Sequence, residues 1–281
     1  RSGDFYALIG AGRMPARRLG GAFGEIIWTP DGFQGTPEDA REVRQAFQYS
    51  LTPGDVLHLA VAGTSQGREE AEATYRRLLE APGAVYAEAA QHYTDLLLRA
   101  TMVTTPDAAF DEGYRWAIVG TERFQATTPG LGMGLLAGYA TSADGWDGGH
   151  AVSGRPGYAW YFGRDAVWTA LGSLAVGDFA AAALTLRFLG RHQDISGKIL
   201  HECTTSGLVH YDASDSTTLY LLLAARYLAW TGDQALIREE WPRIRLAFDF
   251  ALGTDRDNDG LVENTRIGHG WIEFGRLGGG D

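Results

Sequence analysis

The spacing of apolar residues changes once along the chain, near residue 66, and that change constrains the fold more than any single motif. Before it, short apolar runs alternate with turn residues, as in Phe5-Tyr6-Ala7-Leu8-Ile9, Ala22-Phe23-Gly24-Glu25-Ile26-Ile27-Trp28 and Val56-Leu57-His58-Leu59-Ala60-Val61-Ala62. That is strand spacing. Thr52-Pro53-Gly54-Asp55 reads as a tight turn, and Thr36-Pro37-Glu38-Asp39 as the start of one short helix. After residue 66 the period is nearly four, which is helical.

A charged helix from about residue 66 is interrupted at Pro82-Gly83 and resumes through His92 and Leu98. Thr105-Pro106-Asp107 opens another, running to about Phe124, with Phe110, Tyr114, Ile118 and Val119 on one face. An irregular Gly-rich passage follows from Thr128 to Pro156, and four more helical patterns lie near 165–176, 178–192, 215–231 and 233–252. At Thr231-Gly232-Asp233 glycine supplies a C-cap and aspartate the next N-cap. The helix from Ser214 is expected to bury Leu219, Leu222, Leu223 and Tyr227, and its partner Ile237, Trp241, Ile244, Phe248 and Ala251. Helices joined by such short turns pack as hairpins side by side. The expected division is residues 1–65 as the end of a β-sandwich-like domain, 66–105 as a helical linker and 106–281 as helical hairpins.

Composition narrows the function. At 281 residues the chain holds about two domains' worth of sequence, and Cys203, the only cysteine, excludes an internal disulfide or a cysteine-rich zinc site. A net charge of −11 disfavours nucleic acid and anionic lipid as partners. No run nears the ~18 apolar residues of a membrane span, and no signal-peptide pattern opens the chain, so a cytoplasmic location is expected. Both ends, Arg1-Ser2-Gly3 and Gly278-Gly279-Gly280-Asp281, read as cut.

Chemistry concentrates in five strings. In Trp160-Tyr161-Phe162-Gly163-Arg164-Asp165, aromatics precede a planar guanidinium beside a carboxylate, a donor and an acceptor of the kind sugar hydroxyls require. The bland alternative is a helix cap, an ion pair and core aromatics. Trp271-Ile272-Glu273 sets a carboxyl among apolar groups, where it can keep the proton a general acid needs. His201-Glu202 and His210-Tyr211-Asp212 are read as loops carrying polar side chains. Asp255, Asp257 and Asp259, with Glu263, have the spacing of a calcium loop but lack the glutamate at position twelve, where Arg266 stands, so a solvated turn is the favoured reading and no cofactor is expected. Gly10-Ala11-Gly12 lacks the third glycine of a dinucleotide fingerprint, and no phosphate-cradling loop or serine elbow is present.

In this order, Trp160 to Asp165, His210-Tyr211-Asp212-Ala213-Ser214-Asp215, Asp259-Gly260-Leu261 and Trp271-Ile272-Glu273 resemble the glucosidase domain of glycogen debranching enzymes and the glucoamylase-like six-hairpin glycosidases. The resemblance covers roughly 106–281 and implies a mainly α protein, an (α/α)6 toroid preceded by a β-sandwich. It implies inverting, exo-acting hydrolysis of α-linked glucosides in an oligo- or polysaccharide. Glu273 matches the general acid, although debranching enzymes usually carry Asp there. Arg164 and Asp165 match the pair holding the terminal glucose, with Trp160, Tyr161, His201, Glu202, His210 and Trp271 as pocket walls. Inversion also needs a base about 6.5–9.5 Å from the acid. About six helices from residue 106 are half of such a toroid, so the base and the closing hairpins are expected in a second chain or in residues outside this one. Alternatives are another six-hairpin glycosidase acting on β-glucosides, α-mannosides or α-rhamnosides, a non-catalytic carbohydrate-binding fragment, and a sugar epimerase, against which stands the lack of an evident partner for His201 or His210.

Overall fold

The computed structural model describes residues 6–29, 32–37, 43–138, 159–205 and 207–261. Among the described residues seven helices and small antiparallel sheets make up the regular structure, which is compatible with a mainly α class. The chain falls into two compact units divided between Gln91 and His92.

In the first unit β1 (Tyr6–Ala11) pairs antiparallel with β5 (Leu59–Thr64), setting Ile9 opposite Val61. The long β2 (Arg17–Thr29) runs between β3 (Gly32–Pro37) and β4 (Val43–Gln48) in a second antiparallel sheet. Helix α1 (Arg68–Glu80) packs on β1 and β5 through the small buried residues Ala60, Ala62 and Ala71. Thr36-Pro37 ends β3 rather than opening a helix, because Thr36 pairs with Glu25 across a bulge; Glu38 and Asp39 lie outside the described residues. Neither β3 nor β4 shows a clean apolar alternation, which hid both from the sequence.

Helix α2 (Pro82–Arg99) starts on the proline that ends α1's run and crosses the division, so the stretch expected as a linker contributes to both units. Helix α3 (Ala108–Arg123) is capped by Asp107, which accepts from the amides of Ala109 and Phe110. It buries Ile118 and Val119 against Leu96, while Phe110, expected inside, is largely exposed. Part of the irregular passage is ordered as a hairpin, β6 (Gln125–Thr128) with β7 (Gly132–Leu135), turned by Gly130 and Gly132 at φ 82° and 100°.

The main core belongs to two helical hairpins. Helices α4 (Gly163–Val176) and α5 (Phe179–Arg191) are joined at Gly177-Asp178, and α6 (Ser216–Thr231) and α7 (Gln234–Leu252) at Gly232-Asp233, each with a left-handed glycine followed by a capping aspartate. α4 packs on α6 and α5 on α7, burying Leu174, Leu186, Leu189, Tyr220 and Leu223. The stripes differ from those expected. α7 buries Leu236, Glu240, Ile244, Ala247 and Ala251, leaving Trp241 and Phe248 about half exposed, and α6 buries Tyr220 where Leu222 was expected. A carboxylate can occupy the stripe because Arg243 Nη1 donates to both Glu240 oxygens, at 3.0 and 2.9 Å. Among the described residues no helix is long and apolar enough to cross a membrane.

Candidate functional site

The polar motifs meet at the N-terminal end of α4. The strings around His201 and His210 are not plain loops: β9 (Glu202–Cys203) and β10 (Val209–His210) join β8 (Tyr161–Phe162) in a three-stranded antiparallel sheet. Phe162 is paired with Glu202, and Glu202 with His210. Strands of two residues carry no periodic signal. The sheet feeds directly into α4, and Gly163 N donates to His201 O at 2.8 Å while His201 N donates to His210 O at 2.7 Å.

Gly163 is required at this join. A Cβ there would stand 2.2 Å from Leu200 O and 2.9 Å from Ser216 Oγ. The start of α4, the 199–201 segment and the start of α6 are thus pressed together, which brings Arg164, His201 and Asp215 into one small volume.

Within it the charged groups are matched. Arg164 donates through Nε and Nη2 to the two oxygens of Asp215, a fork-to-carboxylate arrangement. His201 Nδ1 contacts Asp212 Oδ1 at 2.6 Å, and His210 Nδ1 contacts Glu202 Oε1 at 2.6 Å. Glu202 is only 2% exposed, and its second oxygen is buried with no partner among the described residues. Burial of His201 opposes its protonated form, but the Asp212 hydrogen bond and charge, with that of Glu202, outweigh it and hold the imidazole above its ordinary pKa. Lys198 is buried nearby; desolvation lowers its pKa despite the attraction of Asp212 and Asp194. Two further acids therefore belong to the cluster, Asp212 and Asp215. Both stand in the string from His210 to Asp215, but spacing alone assigns neither a role, because their partners His201 and Arg164 are brought to them only by the fold.

The expected aromatic walls divide. Trp160 and Tyr161 are each about 1% exposed. Tyr161 is a core residue: it packs on Phe188, shares a 2.7 Å hydrogen bond with Thr128 Oγ1 and donates to Ala126 O. Trp160 stacks on Phe162, whose ring meets His201 edge to face at 5.9 Å. The structure therefore gives Tyr161 the packing role and buries Trp160 against Phe162. Asp165 is exposed in the first turn of α4. Trp271, Glu273 and Glu263 lie outside the described residues.

Carboxylate oxygens of Asp255, Asp257 and Asp259 come within 4.8 Å of one another. Each acid also accepts a backbone amide: Asp255 that of Gly260, Asp257 that of Asp259 and Asp259 that of Leu261. This is the bonding of a tight polar turn. No protein-family model matches the chain, and no curated protein matches it significantly.

Proposed function

We propose that the chain is part of a glycoside hydrolase that cleaves α-linked glucosides from chain ends with inversion. The observation that carries the reading is the convergence of separate motifs, Arg164-Asp165, His201-Glu202 and His210 to Asp215, on one partly exposed cluster of alternating donors and acceptors. A neutral polyol needs both kinds of partner, and a protein of net charge −11 suits an uncharged substrate better than an anionic one. Arg164, Asp165 and His201 would hold the terminal sugar, with Glu202 buried as the partner of His210, and Glu273 would protonate the leaving oxygen. The water-activating carboxylate is assigned to residues outside this chain or to a second chain.

On this reading the two hairpins are consecutive members of an (α/α)6 toroid, and the first unit belongs to a β-sandwich. Apolar surface favours both. Trp168, Trp230, Trp241 and Phe248 are about half exposed on the hairpins, and Ile9, Leu59 and Val61 more so on β1 and β5. Further hairpins and a facing sheet would cover such surfaces. The acidic turn at Asp255, Asp257 and Asp259 is assigned no calcium.

The test compares nitrophenyl α- and β-glucosides, α-mannosides and α-rhamnosides on a longer chain with intact hairpins, following the product anomer by NMR. A β-anomer released first from an α-glucoside, lost in Glu273→Gln with binding retained, supports the assignment. An α-anomer would overturn inversion, and full activity of the variant would overturn the role of Glu273. One observation favours a second reading, sugar epimerisation: His201 and His210 each have a carboxylate partner, as acid–base histidines do. Solvent deuterium appearing at a sugar carbon, without release of a second sugar, would select it.

A further inference from the structure

Four of the described helices have aspartate at the N-cap, and three of these acids cap. Asp107, Asp178 and Asp233 each accept a backbone amide from the first turn of α3, α5 and α7. Asp215 does not: its backbone is helical, at φ −98° and ψ −22°, and its side chain makes no capping bond with α6. Both of its oxygens go to Arg164 instead. A cap of this kind stabilises a helix by about 1 kcal/mol. That contribution is given up here for a two-pronged ion pair whose side chains are 20% and 27% exposed, a geometry that fixes the plane of the guanidinium. The diversion is better explained by what Arg164 must do than by the needs of the helix.

Three residues earlier, Asp212 makes the matching contact with His201. The turn between the two acids is fixed from beneath. Ala213 and Ser216 are wholly buried, and Thr217 Oγ1 accepts from Ile199 N at 3.0 Å, tying the start of α6 to the segment that carries His201. Arg164 follows Gly163 and His201 follows Leu200, the two residues whose backbones approach too closely for a Cβ. Acids and donors are therefore anchored to the same rigid junction.

We propose that Asp215 and Asp212 are positioning residues, which hold Arg164 and His201 in the orientations that meet the hydroxyls of the bound sugar. Asp215 engages two of the guanidinium nitrogens and so fixes the plane of the fork. Asp212 engages Nδ1 and so fixes which edge of the imidazole is turned elsewhere. Lys198, Glu202 and Arg164 are the other charged groups acting on this pair. The inference rests on the carbohydrate reading above.

Two double-mutant cycles on the whole chain test it, with maltotriose affinity as the readout: Arg164→Ala with Asp215→Asn, and His201→Ala with Asp212→Asn. Each single substitution is expected to weaken binding about tenfold or more, the scale of one hydrogen bond to a charged group. Each aspartate substitution should then cost less than about twofold once its partner is gone, because the acid acts only through that partner. The Arg164 Nε–H resonance should also move to the position of an exposed arginine in Asp215→Asn. Single effects that multiply in the double variants, or aspartate variants that bind as the unaltered chain does, overturn the proposal. If Asp215→Asn does not fold, Arg164→Lys supplies the same information: it keeps the charge but not the fork, and near-normal binding would overturn the proposal. Failure of the unaltered chain to bind maltotriose removes the α-glucoside reading and this inference with it, whereas binding with multiplicative cycles removes this inference alone.

Discussion

Replacing Gly163 by alanine tests the junction on which the whole site depends. The added Cβ would meet Leu200 O at 2.2 Å and Ser216 Oγ at 2.9 Å, and real Cβ atoms essentially never come closer than 3.0 Å. Backbone would have to move by about 0.8 Å, and the obstructing atom is a main-chain oxygen rather than the end of a flexible side chain. Overpacking of this kind costs typically 1–3 kcal/mol. The shift also strains the 2.8 Å bond from Gly163 N to His201 O, about 1 kcal/mol more, while alanine's better helix propensity returns up to about 1 kcal/mol. The net expectation is a loss of roughly 1–3 kcal/mol in urea unfolding followed by far-UV circular dichroism. Gly172 in the same helix is the control: a Cβ there meets nothing within 4 Å, so Gly172→Ala should stabilise by about 0.5–1 kcal/mol. If the two variants unfold alike, or Gly163→Ala is as stable as the unaltered chain, the close approach is not real and the grouping of Arg164 with His201 loses its structural basis.

His201 has a folded pKa above its ordinary 6.5, so its ionisation stabilises the fold in full below about pH 6.5, and that contribution fades as pH rises through the raised value. Asp212→Asn removes the main raising influence and leaves burial, so the NMR titration midpoint of His201 should drop below 6.5; an unchanged midpoint would refute the assignment. Cys203 is buried, with desolvation pushing its thiol pKa up to about 11, so a disulfide reagent should label it only as the chain unfolds, and rapid labelling of the native protein would contradict this placement. Arg243→Met leaves the buried carboxylate of Glu240 without its partner and should cost about 3–5 kcal/mol, much of it recovered when Glu240→Leu is added; a loss under about 1 kcal/mol would show the pair to be dispensable.

What could be read from the sequence followed how local the cause was. Helix ends at Asp107, Gly177-Asp178 and Gly232-Asp233 were legible because a cap needs only its own residue and the next turn. The buried face of α7 was not, because counting large apolar residues favours Trp241 and Phe248, whereas packing on α5 and α6 selects Leu236, Ile244 and Ala247 and admits Glu240 through Arg243. Strands β8, β9 and β10 escaped for a related reason: two residues define no period, and β8 pairs with β9 some 40 residues away. The site shows both behaviours in one residue. Asp215 carries the local signature of a cap, and its chemistry is set instead by Arg164, 51 positions away. A polar residue that satisfies a local rule in sequence and disregards it in the fold marks a competing demand, and at Asp215 that demand is the fork of Arg164.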